Sequence, residues 1–202
     1  MAFSDFLSYI ETTFFSGKEE EFQIFRKSLH APLGKTLRIN TNLISCEDFI
    51  TKMTPRGWTL TPTDNLHVYR VDRSDTSTPL GSTPEHLLGE FYIQELAAST
   101  SVCILADSKV DENAYMILEM AASPGGKTTQ LAEMFPKSFI VANEFTKTRV
   151  RPLIDNIERS RSPNIAVTNL NGIEFNCLPN TFDRVLLDAP CSGEGIGFKA
   201  EE

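Results

Sequence analysis

The sequence predicts an α/β protein: a Rossmann-like domain, with four strands of its parallel sheet expected, preceded by a small α+β domain. Three observations carry that expectation. Apolar runs at about 115–119, 138–144, 164–168 and 183–188 alternate with helix-forming segments, the pattern of a parallel sheet with right-handed crossovers. The first of these runs stops at Glu119 and is followed by a small-residue loop, Ala121 to Gly126, and a helix-forming segment from Thr128 to Phe135. A strand, a tight turn and a helix start in that order are how α/β folds build a ligand site at a strand's carboxyl end. Before residue 88 the chain instead shows amphipathic helices and short alternating runs. The division is therefore 1–88, α+β, and 89–202, Rossmann-like.

Phe3, Phe6, Leu7, Ile10 and Phe14 recur at helical spacing, so residues 4–15 read as a helix with Ser4 as its cap and Gly17 as its stop. Glu19 to Leu29 reads as a second helix with Phe22, Phe25 and Leu29 on one face. Leu37 to Asn40 alternates apolar and polar residues in the manner of a strand. Ser45, with Asp48 three residues later, opens a helix through Phe49, Ile50 and Met53. Pro55 and Gly57 end it before strands at Trp58 to Leu60 and His67 to Val71. Asp72 to Pro84 has no apolar period and reads as a loop, and Leu88 to Leu96 leads into a helix running to about Leu105. In the second half, Val150, Leu153, Ile154 and Ile157 mark the inner face of a helix between the second and third strands.

With 202 residues, 41% hydrophobic and 23% charged, the chain has the composition of an ordinary globular protein with a real core. No run approaches a membrane span and the start lacks a basic region followed by an apolar core, so no membrane is expected and the cytoplasm is the default compartment. The four cysteines show no Cys-x-x-Cys spacing and no nearby His, which points to reduced thiols and no metal. A net charge of −8 argues against nucleic-acid binding by bulk electrostatics. Lys147, Arg149, Arg151, Arg159 and Arg161 cluster on one helix, readable as a local basic patch or as a solvated face.

The central loop admits two chemistries. Ala121 through Thr128 fits a loose Walker A pattern with Ala in the first Gly position, and Val185 to Asp188 could pass for a Walker B strand. The other reading is a loop for S-adenosylmethionine. Phe139 to Glu144 is a second apolar strand ending in an acid, near the roughly 20-residue spacing at which a carboxylate meets ribose hydroxyls. Asp188 is followed by Ala189, Pro190 and Cys191, and a Walker B strand has no use for that Pro-Cys pair. The methyltransferase reading is favoured, with nucleotide hydrolysis as the alternative.

The run Glu119-Met120-Ala121-Ala122-Ser123-Pro124-Gly125-Gly126-Lys127-Thr128-Thr129, with Leu187 to Gly195 after it and Ala142 to Glu144 between, resembles the RNA 5-methylcytosine methyltransferases of the NOL1/NOP2/Sun family. Leu37 to Thr41, Gly57 to Pro62, Leu80 to His86 and Gly89 to Glu95 look like that family's upstream RNA-associated segment, most like its bacterial branch. The resemblance implies S-adenosylmethionine as cofactor and RNA as partner, either small-subunit ribosomal RNA or the small ribosomal subunit. It implies that Ala121, Ala122, Ser123, Pro124, Gly125, Gly126 and Lys127 hold the methionine moiety and that Glu144 binds the ribose hydroxyls. Asn171 stands where the family usually has an Asp facing the adenine edge, and Glu119 also replaces a usual Asp. By the same resemblance Asp188 lies at the sulfonium and the target cytosine, Lys127 reaches that base, and Cys191 assists release of the base adduct.

In RNA enzymes of this family a second thiol, in a Thr-Cys pair after the fifth strand, attacks carbon 6 so that carbon 5 can accept the methyl group. The present sequence contains no Thr-Cys pair. The expectation is an amino-terminal portion of such an enzyme, inactive alone and completed by a carboxy-terminal segment. The alternative is a non-catalytic RNA-binding or assembly module.

Overall fold

In a computed structural model of the chain, which describes residues 3–29 and 34–189, two amphipathic helices come first, α1 (Phe3–Phe14) and α2 (Glu19–Leu29). Ser4 falls inside α1 rather than before it. Glu19, Glu20 and Glu21 in the first turn of α2, with Arg26 and Lys27 in its last, match the sign of the helix dipole at each end. Phe25 stacks on Phe15 and Phe22, which are tilted against each other, with ring centroids 5.4 to 6.3 Å apart.

Residues 34–189 form a compact unit of their own, built on two four-stranded sheets. The first is antiparallel. It contains β1 (Thr36–Ile39), β2 (Trp58–Pro62), β3 (Val68–Arg73) and β4 (Phe91–Ile93) in the order β2-β3-β1-β4. Helix α3 (Cys46–Met53) follows β1, and Ser45 caps it: the Ser45 Oγ accepts from the Asp48 N–H at 3.0 Å and donates to the Asp48 carboxylate at 2.6 Å. Leu37, Ile39, Phe49, Trp58 and Phe91 form the core of this half.

Three segments depart from the sequence reading. The loop expected over 72–84 contains a 3-10 turn at Leu80–Ser82, and a short helix α4 (Pro84–Leu87) begins where that loop was expected to end. Phe91–Ile93, unassigned from sequence, is the edge strand β4, paired with β1 through Leu37 and Ile93. The alternation in β1 does not give one wet face: all four residues are buried. Alternation reports a half-buried strand only when one face meets water, and here the second face is covered too.

The second sheet is parallel. Helix α5 (Leu96–Leu105) leads to β5 (Met116–Glu119), α6 (Gly126–Met134), β6 (Phe139–Asn143), α7 (Lys147–Ser160), β7 (Ile165–Thr168) and β8 (Arg184–Leu186). The order β7-β6-β5-β8 means the first strand of this half lies between the second and the fourth. That reversal is a topological switch point, and it lies between β5 and β8. Val102, Ile117, Leu131, Phe135 and Ile140 form the main core, while Ala122, Ala142 and Leu153 seat α7, with Ile157 packed against them. No helix among the described residues is long and apolar enough to cross a membrane.

A polar seam joins the two sheets. Arg38 of β1, 2% exposed, pairs with Glu133 of α6, 4% exposed, at 3.0 Å. Gln94, just after β4, accepts from Arg38 and donates to Gln130 at 2.7 Å; Gln130 in turn donates to the Ser99 carbonyl at 3.1 Å. Nearby, the Asn40 side-chain amide donates to the carbonyls of Gly89 at 3.0 Å and Ser160 at 2.9 Å.

Gly89 sits at φ 82°, and a Cβ there would lie 1.9 Å from the Arg159 carbonyl oxygen. Both the backbone conformation and the space exclude a side chain. Gly89→Ala is expected to lower stability by about 2–3 kcal/mol, read as a drop in the urea midpoint at unchanged m-value. An unfolding free energy within ~0.5 kcal/mol of wild type would contradict this packing.

Candidate functional site

The site is built at the carboxyl ends of β5, β6 and β8. Strand β5 ends on Glu119, and residues 120–125 turn the chain into α6. Gly125 takes φ 104°, which residues with a Cβ rarely adopt, and stands as the N-cap of α6. The turn is held from within: the Ala122 N–H donates to the Asn143 carbonyl at 2.8 Å and the Gly125 N–H to the Ala122 carbonyl at 2.8 Å. Helix α7 holds it from outside. Arg149 donates to the Ser123 carbonyl at 2.7 Å, Ser123 Oγ donates back to the Arg149 carbonyl at 2.8 Å, and Asn156 donates to the Pro124 carbonyl at 2.8 Å.

Glu144, one residue past β6, is 4% exposed. Its carboxylate accepts the Thr146 N–H at 2.8 Å and the Ser123 N–H at 3.3 Å, so the loop and Glu144 are tied directly. Each oxygen keeps a further lone pair for a ligand hydroxyl. Beside it, Asn143 is fully buried and its amide makes four bonds. It donates to the Met120 carbonyl at 3.2 Å and the Leu170 carbonyl at 3.0 Å, and accepts from Thr168 Oγ1 at 2.9 Å and the Leu170 N–H at 3.0 Å. One side chain thus fixes the ends of three adjacent strands.

Across the switch point, Lys127 Nζ meets the Asp188 carboxylate at 2.7 Å, the lysine largely buried and the aspartate open. Asn171 caps a 3-10 turn at Gly172–Cys177, its Oδ1 accepting from the Ile173 N–H at 3.2 Å while the Glu174 carboxylate accepts the Asn171 N–H at 2.7 Å. Cys191 and Pro190 lie outside the described residues. The structure therefore brings together Ala121 to Lys127, Glu144 and Asp188, with Asn171 on the segment after β7. Sequence reasoning gave no role to Asn143 or Arg38 and read Arg149 only as one of a basic cluster; their polar side chains gain meaning through partners distant in sequence. Of the five cations on or just past α7, Lys147, Arg149, Arg151 and Arg161 are exposed; Arg149 also holds the loop, Arg151 pairs with Asp155 at 2.8 Å, and Arg159 is drawn inward to the His86 carbonyl at 2.9 Å.

Glu119 is 1% exposed and accepts the Thr128 hydroxyl at 2.5 Å. Burial pushes its carboxyl up to about 7; the Thr128 hydrogen bond and Lys127 pull the other way. Between about 4.5 and 7 the folded chain therefore keeps a proton that the unfolded chain releases. The Glu119 contribution to stability accordingly falls as pH rises through that window and is flat above it, by on the order of 3 kcal/mol. Glu119→Gln mimics the protonated acid and is expected to remove this slope. Urea midpoints at about pH 5 and pH 8 check it, and parallel curves for the two proteins would refute the burial argument.

Comparison with known proteins agrees with this architecture. A family model described as 16S rRNA methyltransferase RsmB/F matches residues 104–202. The ribosomal RNA small subunit methyltransferase F of Erwinia tasmaniensis is 45% identical over 181 residues, covering 88% of this chain and 37% of that protein. The protein of the same name from Salmonella newport is 45% identical over 180 residues, with 87% and 37% covered. The chain thus spans little more than a third of the length of these relatives. Among solved structures, a methyltransferase homolog from Pyrococcus horikoshii superposes with a TM-score of 0.73 at 28% identity, covering 87% of this chain and 56% of that one. NSun6 from the same organism gives 0.75 at 20% identity, covering 92% and 70%, which supports the fold. The strand order, the glycine loop at the switch point and these relatives together place residues 104–202 in the RsmB/F family of methyltransferases.

Proposed function

We propose that the chain is the cofactor-binding and RNA-facing portion of an S-adenosylmethionine-dependent enzyme that methylates carbon 5 of a cytosine in small-subunit ribosomal RNA. One observation carries the reading: the Gly125 loop, Glu144 and the Lys127–Asp188 pair converge at the switch point of one parallel sheet. Work on ribosomal RNA also implies a cytoplasmic location.

The residues present fit that cofactor, which when bound supplies a methyl group on a positively charged sulfur. Glu144, anchored by two backbone N–H groups, accepts hydrogen bonds from two ribose hydroxyls. Ala121 to Gly126 offer small side chains where the methionine moiety would approach backbone, and Asn171, on the segment after β7, would meet the adenine. Asp188 accepts from the exocyclic amine of cytosine, the contact that carboxylates make with that base, while Lys127 donates to its ring acceptors. Their ion pair keeps both charges compensated until the base arrives. Cys191, three residues beyond Asp188, has the role of releasing the base after methylation.

The same geometry disfavours a nucleotide hydrolase. A phosphate cradle needs free backbone N–H groups, yet those of Ala122, Ser123 and Gly125 are already bonded inside the protein. Glu144 also places a carboxylate against the loop, repelling a polyanion.

Calorimetry with S-adenosylmethionine and with magnesium ATP is the direct test. Binding of the first and not the second is expected, and Glu144→Ala should weaken it by about 1–3 kcal/mol. The reverse preference would defeat the reading. For the reaction, a protein extending this chain through the Thr-Cys segment should place labelled methyl on cytosine carbon 5 of small-subunit ribosomal RNA. Label on any other position would reject the assignment of the base.

A further inference from the structure

Every N–H of the Arg38 guanidinium has a partner. Nε donates to the Glu133 carboxylate at 3.1 Å. One terminal nitrogen donates to Gln94 and to the Gly126 carbonyl, the latter at 2.8 Å. The other donates to Thr129 Oγ1 at 2.7 Å and to Glu133 at 3.0 Å. A guanidinium has five donors, so none is left over. Two of these bonds lead to the glycine pair of the candidate site. The Gly126 carbonyl is contacted directly. Thr129, which accepts from Arg38, donates a hydrogen bond from its own hydroxyl to the Gly125 carbonyl at 3.0 Å.

The wall behind Gly126 also comes from the antiparallel sheet, whereas Gly125 packs on Leu153 and Asn156 of α7. The ring of Tyr92 on β4 lies against Gly126, where an added Cβ would stand 3.0 Å from the ring edge. The guanidinium carbons of Arg38 and Arg159 flank the same ring at 5.6 and 5.4 Å. Gly126, with no side chain of its own to fix it, is therefore located by groups from a different sheet.

We infer that Arg38 is a positioning residue for the candidate cofactor loop: its planar fork fixes the Gly126 carbonyl and, through Thr129, the Gly125 carbonyl, and so sets where α6 begins. The inference rests on the proposed cofactor site for its functional meaning. A purely structural role is the competing explanation, and the chemistry separates the two. Replacing a buried ion pair by apolar side chains of similar volume is often neutral for stability, whereas removing one partner alone leaves a buried charge unpaired. Apolar side chains can fill the seam, but they cannot hold two carbonyls.

The test uses the whole chain with three variants: Arg38→Met, the double variant Arg38→Met/Glu133→Met, and Thr129→Val. Three readouts are taken: melting temperature, amide hydrogen exchange over residues 125–130, and affinity for S-adenosylhomocysteine. Arg38→Met alone should melt well below wild type, and the double variant should recover most of that loss. In the double variant the loop amides should nevertheless exchange about tenfold faster and affinity should fall about tenfold. Recovery of melting temperature together with wild-type exchange and affinity would overturn the inference. Should the double variant fail to fold, Thr129→Val decides, since it removes the relay to Gly125 and leaves the ion pair in place. Faster exchange at Gly125 and Gly126 is expected there, and unchanged exchange would refute it. If wild type binds no S-adenosylhomocysteine, the proposed function fails, while the exchange data still decide the role of Arg38.

Discussion

A charged guanidinium buried between two sheets is the constraint around which residues 34–189 are arranged. Moving Arg38 out of water is tolerable only because Glu133, Gln94, Thr129 and the Gly126 carbonyl together replace its hydration. Gln94 is then obliged to find a donor role, which Gln130 satisfies, and Gln130 in turn reaches Ser99 on α5. Asn65 closes that end by donating to the Leu96 carbonyl at 3.0 Å and to the Ser99 hydroxyl. An apolar seam would tolerate sliding. A seam of directional bonds admits one register, because any shift strands several polar groups at once.

The parallel sheet poses a second problem, which Asn143 solves. Strands running the same way end together, and each end turns into a loop whose carbonyls and N–H groups have left the ladder. Asn143 collects those of β5 and β7 into a single amide, so Glu144 starts from a fixed backbone. The loop latches from Arg149 and Asn156 act on the opposite side. Ligand geometry at such a site is set by residues that need never touch the ligand.

Much of this was legible in the sequence. Helix α2 has the bounds that its Phe22, Phe25 and Leu29 spacing implies, and the four parallel strands lie within the four apolar runs. The loop at 121–126 could be read because Pro and Gly there have local conformational meaning. Arg38 and Asn40 could not. A polar residue at an alternate strand position normally faces water, and only the packing of α6 and α7 over that face reverses the expectation. Strand β4 was missed for a related reason: three residues carry too little periodicity, and β1 supplies the partner. The basic residues of α7 looked alike in sequence, yet their roles divide according to which neighbour each one reaches.

Asn40 has a consequence for how the protein is made. Its amide binds the Gly89 carbonyl, 49 residues on, and the Ser160 carbonyl, 120 residues on. Translation adds about 5–20 residues per second, so β1 leaves the ribosome roughly 6–24 s before its last partner has been synthesised. Through that interval the antiparallel half can pair its strands, but the face that carries Arg38 and Asn40 stays hydrated. Helices α6 and α7 then dock onto a surface that already exists. The polar seam is thus the final closure of a vectorial assembly, and its sequence separation makes it a late, non-local contact. A nascent chain halted before Ser160 would leave Asn40 without its second carbonyl partner, with water in its place.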